Sequence, residues 1–309
     1  MTCMQLGCPY ELTKEMSMRK QCLLVVSMIL LFFLSLAWGE GLPWEMKLPF
    51  KEATIHYELT GSEQGKETLY VKDYGKLRAK HRQATATMMG MTKKTETVEI
   101  IDPDWMYTYD LVEKKGEKTT NPRKIYLTEY NKFNAEEKKN FEKNAKELGT
   151  SMMGQFGGSV QQKAGKMLGY DCDITTVGGM STVHLLHGTD IPLRSEVSIM
   201  GMNSTNAATK IDTSAAIPGN AFAPPQGINA TLNQEAENMM AGMIQQTMDT
   251  LKKPDGAKQM QAAGPMGMMG AGDMQQGMKD EGMSPEEQQE MMRQMNEAMQ
   301  QMQKNSPKK

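Results

Sequence analysis

No aromatic side chain follows Phe222, so the last 87 of 309 residues contain no phenyl, phenol or indole ring to bury. A stretch without aromatics and with few branched aliphatics gains too little from burial to offset the entropy of ordering it. One core is therefore expected, drawn from residues 45–230, an ordinary single-domain length. Everything past 231 reads as an appendage.

Within that core region, 169–228 holds three runs rich in Val, Ile, Thr and Leu, broken at Gly178-Gly179 and again from Gly188 to Pro192. This is the pattern of consecutive antiparallel strands joined by turns. They need upstream partners, and 53–59 supplies one by alternating Ile55, Tyr57 and Leu59 with Thr54, His56 and Glu58. Residues 68–72 repeat the alternation with Leu69 and Val71, then Asp73-Tyr74-Gly75 turns the chain. In 76–91 the residues Arg78, Lys80 and Arg82 share one face of an extended segment. A basic stripe either meets an anionic partner or, in the plainer reading, is a solvated outer face.

A further strand is expected at 93–101, followed by a tight turn at Asp102-Pro103-Asp104. Trp105, Tyr107, Tyr109 and Leu111 then fall on a single face. That aromatic wall either lines a cavity for an apolar ligand or is core beneath a covering helix. Residues 114–121 read as a charged loop and 123–127 as a short strand. A helix is predicted over 134–148, with Asn134 and Glu137 forming a capping box, Phe141, Ala145 and Leu148 on one stripe, and Gly149 as the stop. Residues 150–158 set Gly154, Gly157 and Gly158 beside Met152, Met153 and Phe156, an apolar connection able to act as a hinge or flap.

The N-terminus reads as an address. Arg19-Lys20 precede an apolar run of 16 residues, 22–37, with small residues after it suited to cleavage past Ala37 or Gly39. The run is short for a stable transmembrane span, so 18–39 is expected to be a signal peptide and 1–17 a non-native extension. The product is then exported, periplasmic or extracellular. Cys3, Cys8 and Cys22 would be removed, leaving Cys172 as a small buried hydrophobe. A formal net charge of -2 argues against nucleic acid as a partner.

With strands, then a helix on a narrow stripe, then 169–228, the chain resembles the LolA/LolB-like superfamily of extracytoplasmic lipoprotein carriers and related bacterial envelope proteins. Gly169-Tyr170, Ile191-Pro192-Leu193-Arg194 and the closing 220–227, with Asn220, Phe222, Pro224, Pro225 and Gly227, carry the likeness, together with the strand, turn and aromatic strand of 98–109. The resemblance implies a mainly β fold with helices: a curved antiparallel sheet forming an unclosed barrel, covered by helices, whose concave face receives acyl chains in the carriers. The wall for a lipid-like ligand, or for a lipidated protein, would comprise Tyr57, Leu69, Trp105, Tyr107, Tyr109, Phe141, Met152, Met153 and Phe156.

Half of the 32 methionines lie beyond position 238. Helical spacing at 235–251 fits a helix that docks on the domain or binds a protein partner. Residues 252–282 are low in complexity and read as disordered. Ser284-Pro285-Glu286-Glu287 opens a further helix, 285–303, with Met292, Met295, Met299 and Met302 in 3-4-3 steps. Thioethers at Met266, Met268, Met269, Met274 and Met278 make Cu(I) buffering an alternative to an interaction scaffold. Neither His184 with His187 nor Asp171 with Asp173 assembles a reaction, no cofactor is implied, and the expected function is non-enzymatic binding.

Overall fold

The hairpin expected at 53–72 forms the middle of a sheet of 12 strands. A computed structural model describes residues 48–268 except 89–90, 156–157, 178–179 and 200–201. The first half comprises β1 (Ala53–Gly61), β2 (Glu63–Lys72), β3 (Leu77–Met88), β4 (Met91–Ile101), β5 (Trp105–Asp110) and β6 (Lys115–Thr120). Two helices, α1 (Pro122–Asn131) and α2 (Ala135–Gln155), lead to β7 (Ser159–Met167), β8 (Tyr170–Val177), β9 (Ser181–Leu186), β10 (Pro192–Ile199) and β11 (Met202–Asp212). After a long crossing segment come β12 (Ala230–Leu232), α3 (Gln234–Leu251) and α4 (Gly256–Met268).

The strand order is β12-β6-β5-β4-β3-β2-β1-β11-β10-β9-β8-β7. Neighbours run antiparallel except β12 and β6, which are parallel, so the sheet is mixed. Its two ends do not meet, and the barrel is unclosed. The turn after β2 places Asp73, Tyr74 and Gly75 at positive φ, and the Asp102 carboxylate accepts from the Asp104 and Trp105 backbone N–H groups, closing the turn expected there.

Several expectations are corrected. Within the charged segment 114–121, Lys115–Thr120 is strand β6, not a loop, paired with β5 along its length. Gly116 is what makes room: a Cβ there would stand 2.8 Å from the Tyr109 ring and 2.8 Å from the Asn229 carbonyl. The strand expected at 123–127 is helix α1 instead, because Asn121 caps it through Oδ1 to the Arg123 N–H and Pro122 occupies the first turn.

Asn134 and Glu137 form the predicted box, with Asn134 Oδ1 accepting from the backbone of Glu136 and Glu137 and a Glu137 oxygen accepting from the Asn134 N–H. The helix does not stop at Gly149, however. It runs on to Gln155, so most of the expected hinge is helical. The disorder expected over 252–282 gives way to α4 as far as Met268. The residues expected as signal peptide and extension, and the helix at 285–303, lie outside the described residues.

Among the described residues, three clusters form the core. The four helices share Tyr126, Tyr130, Phe133, Phe141, Ala145, Leu148, Ile244, Met248, Leu251, Ala257 and Met260. The helix expected at 235–251 is present as α3 and takes the docking alternative, its stripe spent on the other helices, so this part of the segment past 231 belongs to the core. A second cluster gathers Leu48, Phe50, Ile55, Val71, Cys172 and Leu193, among others, and a third holds Ala79, Val98, Ile100 and Tyr109 under Phe222 and Ile228. Cys172 is free and fully buried, as expected.

Candidate binding face of the sheet

Residues directly opposite one another on neighbouring antiparallel strands point to the same side of a sheet. Tyr57 stands opposite Glu67 and Glu67 opposite Arg82, Leu69 opposite Lys80, and Val71 opposite Arg78. All of these therefore share one face. Thr68 faces His81, His81 faces Val98 and Val98 faces Tyr109, which places that set on the other side.

The sheet curls toward the first side. Arg78 on β3 reaches Asp190, in the turn between β9 and β10, at 2.8 Å. In a flat sheet β3 and β10 would lie about 19 Å apart. The Asn206 amide of β11 likewise reaches over β1 to donate to Glu67 on β2 at 3.2 Å. The side carrying Tyr57 is thus the inner face.

Arg78, Lys80 and Arg82 are on this inner face, which corrects the reading of their stripe as a solvated exterior. Each is tied to a carboxylate. Arg82 donates to Glu63 at 2.6 Å and to Glu67 at 3.0 Å, and Lys80 to Glu99 at 2.6 Å. Burial works to lower the Arg82 pKa, but Glu63 and Glu67 more than reverse it and hold the guanidinium charged. Burial likewise works to raise the Asp190 pKa, and Arg78 leaves it below the ordinary carboxylate value. Glu67 itself is 6% exposed. An isolated carboxylate at such a place would be costly, and Arg82 and Asn206 offset that cost.

Four buried side-chain atoms find no partner among the described residues: the Tyr57 hydroxyl, Asn206 Oδ1, Thr175 Oγ1 and, on the other side of the sheet, His184 Nδ1. The row Leu59, Asn206, Ser195, Val183, Thr175 runs straight across β1, β11, β10, β9 and β8, so Asn206 and Thr175 share the face of Leu59 and Tyr57. Tyr57 is 4% exposed and Thr175 2%. Burial, reinforced by Glu67, pushes the Tyr57 phenol well above its usual range, so it stays a neutral hydroxyl. Interleaved with these atoms are Leu59, Leu69, Ile55 and Ala208, the last two packed with Tyr57 in the second cluster. The face is amphipathic.

The expected ligand wall is divided among three places. Tyr57 and Leu69 lie on the inner face. Trp105, Tyr107 and Tyr109 lie on the outer face, where Tyr109 is core, Tyr107 stacks parallel to it with centroids 6.3 Å apart, and Lys118 sits 4.3 Å over the Trp105 ring. The cover there is the 213–229 segment, held by His81 Nε2 at 2.9 Å from the Ala221 carbonyl, and not a helix. Phe141 is in the helical core, packed on Tyr130 and Phe133. The side chains of Met152 and Met153 and all of Phe156 fall outside the described residues. Met266 and Met268 are in α4 with undescribed side chains, and Met269, Met274 and Met278 fall beyond it.

His187, set aside in the sequence, is brought to Asp173 at 2.7 Å, and the same carboxylate accepts from the Lys163 and Gly188 N–H groups. These bonds depress the Asp173 pKa against the effect of burial. The pair pins the irregularity of β7, where Lys163 has φ 48°, to the β9–β10 turn.

No family model matches the chain, and no curated protein matches it. Among solved structures, an uncharacterized conserved protein from Thermus thermophilus aligns over 60% of this chain and 92% of its own at 7% identity, TM-score 0.35. PNGF-II, in its C2 and P21 space groups, aligns over 61% and 62% of this chain at 13% and 11% identity, TM-score 0.31 in both. The chain spans about a third of PNGF-II, 32% and 33% in the two forms. Likenesses this distant assign neither family nor role.

Proposed function

We propose that the chain is an exported, non-enzymatic binding protein that holds an amphipathic ligand, a lipid or the acyl group of a lipidated protein, against the inner face of its sheet. One observation carries the reading: buried, unpartnered polar atoms at Tyr57, Asn206 and Thr175 share a sheet face with Leu59 and the half-buried Leu69. Buried polar groups are nearly always hydrogen-bonded, and a ligand with a polar head and a hydrocarbon body answers both halves of this surface. The inner-face carboxylates Glu63, Glu67 and Glu99 are occupied by Arg82 and Lys80, which favours holding over proton transfer. The sequence likeness to the lipoprotein carriers points the same way. The partner-binding and Cu(I) readings of the tail now rest on residues past 268 and on α4 methionines, since α3 is packed into the helical core.

Native mass spectrometry of the purified chain, followed by solvent extraction and lipid analysis, tests the reading. A co-purifying amphiphile is expected, with saturable uptake of a fluorescent fatty acid after delipidation. A chain that carries no small molecule and takes up no fatty acid overturns it.

A further inference from the structure

Where α1 meets the β9–β10 turn, positive charge exceeds negative. Arg78 uses its whole guanidinium: Nη1 and Nη2 donate to the two Asp190 oxygens at 2.8 and 2.9 Å, and Nε donates to the Gly75 carbonyl at 2.9 Å. That bidentate pair already neutralises Asp190. Arg123, in the first turn of α1, brings a second guanidinium to the same carboxylate, yet its Nη2 stops 3.8 Å from Asp190 Oδ2. No hydrogen-bond acceptor for the Arg123 side chain is found among the described residues. Burial is the largest influence on Arg123 and lowers its pKa, Arg78 lowers it further, and Asp190 counters only in part. The side chain is 32% exposed, so negative charge can reach it from solution. The positive end of the α1 dipole lies beside it. The helix N–H groups near the cap are not the donors on offer, since Asn121 takes those of Arg123, Lys124 and Ile125.

We propose that Arg123, with the Arg78–Asp190 pair behind it, is an oxyanion site that takes a phosphate or carboxylate group through the planar fork of its guanidinium. Arg78 stands on the same inner face as Tyr57, but the phosphate response is read through Arg123 and the fatty-acid uptake through Tyr57, so either reading can fail without the other.

Phosphate titration of the purified chain, by calorimetry and thermal unfolding at constant ionic strength with chloride as the control, tests it. Saturable phosphate binding and a Tm that climbs with phosphate are expected, as for any ligand of the native state. Arg123→Gln should weaken binding by about tenfold or more, the loss expected for a charged hydrogen bond. Arg123→Lys, which keeps the charge and loses the fork, should weaken it less. Retention on phosphatidylglycerol vesicles but not phosphatidylcholine vesicles, lost in Arg123→Gln, assigns the group to a membrane headgroup. Phosphate binding without vesicle retention assigns a free oxyanion, and both outcomes support the site. A wild-type response to phosphate no larger than to chloride, or an Arg123→Gln response equal to wild type, overturns it.

Discussion

At position 57 the alternation of β1 demands an inward side chain, and the chain places a phenol there instead of a phenyl. A buried hydroxyl without a partner costs roughly 1–3 kcal/mol. Tyr57→Phe keeps the ring and removes that cost, so the ligand-free chain should gain about 1 kcal/mol in urea denaturation while its uptake of fatty acid weakens. Asp190 is the opposite case. It and Arg78 are 22% and 12% exposed, and losing its charge strands a guanidinium. Asp190→Asn should cost about 3 kcal/mol, the low end for breaking a buried pair. Because the Asp190 pKa is depressed in the folded chain, its contribution is complete above the unfolded carboxylate pKa of about 3.9 and drains away as pH falls through the lower folded value. Unfolding measured from about pH 6 down to about pH 2 should show that loss in the wild type and a flatter profile in Asp190→Asn. The inward place of Tyr57 was legible from period two alone. The inward place of Arg78, Lys80 and Arg82 was not, since their carboxylates come from β2, β4 and a turn over 100 residues away, and register alone brings them together.

Single elements were legible where a cap or turn announced them and misread where charge density stood in for structure. The Asn134 box and the Asp102 turn behave as their residues require. Asn121-Pro122 carried an equally good helix start, and the Ile125 to Leu127 run obscured it because three apolar or aromatic residues in a row suit a strand as well as a short amphipathic helix. Lys115 to Thr120 has almost no hydrophobic signal and becomes a strand because β5 needs a partner. Between helices, Asn144 plays a role no periodicity reveals. Fully buried on α2, it donates to the Leu251 and Lys253 carbonyls at 2.8 and 2.6 Å, closing the end of α3. Gly256 lies against it, where a Cβ would come within 2.2 Å of the Thr250 carbonyl. Asn144→Ala should leave those carbonyls short of a donor and cost about 2 kcal/mol. Hydrogen exchange should show the C-terminal turn of α3 opening first.

On the scale of the whole molecule, absence of aromatics misled. The segment past Phe222 has no ring to bury, yet it buries Ile244, Met248, Leu251, Ala257 and Met260, five of the eleven residues in the helical core. Methionine and small aliphatics fill the space against rings supplied from upstream, Tyr126, Tyr130, Phe133 and Phe141, so composition judged segment by segment missed a shared core. The helices meet the sheet at its ends: the Glu237 carboxylate of α3 accepts from the Thr120 N–H of β6 at 2.7 Å, and α2 leads into β7. Sheet and bundle should then unfold together. A chain ended after Leu232 exposes the inner faces of α1 and α2, with Phe133 and Phe141 uncovered. It should aggregate, or show no single cooperative transition when its melting is followed by circular dichroism. A chain ended after Met268 keeps every buried residue of the bundle among those described and should melt within a few degrees of the full chain. Equal, cooperative melting of both truncations would mean that α3 and α4 add nothing to the core, and the bundle could no longer be counted as part of the domain.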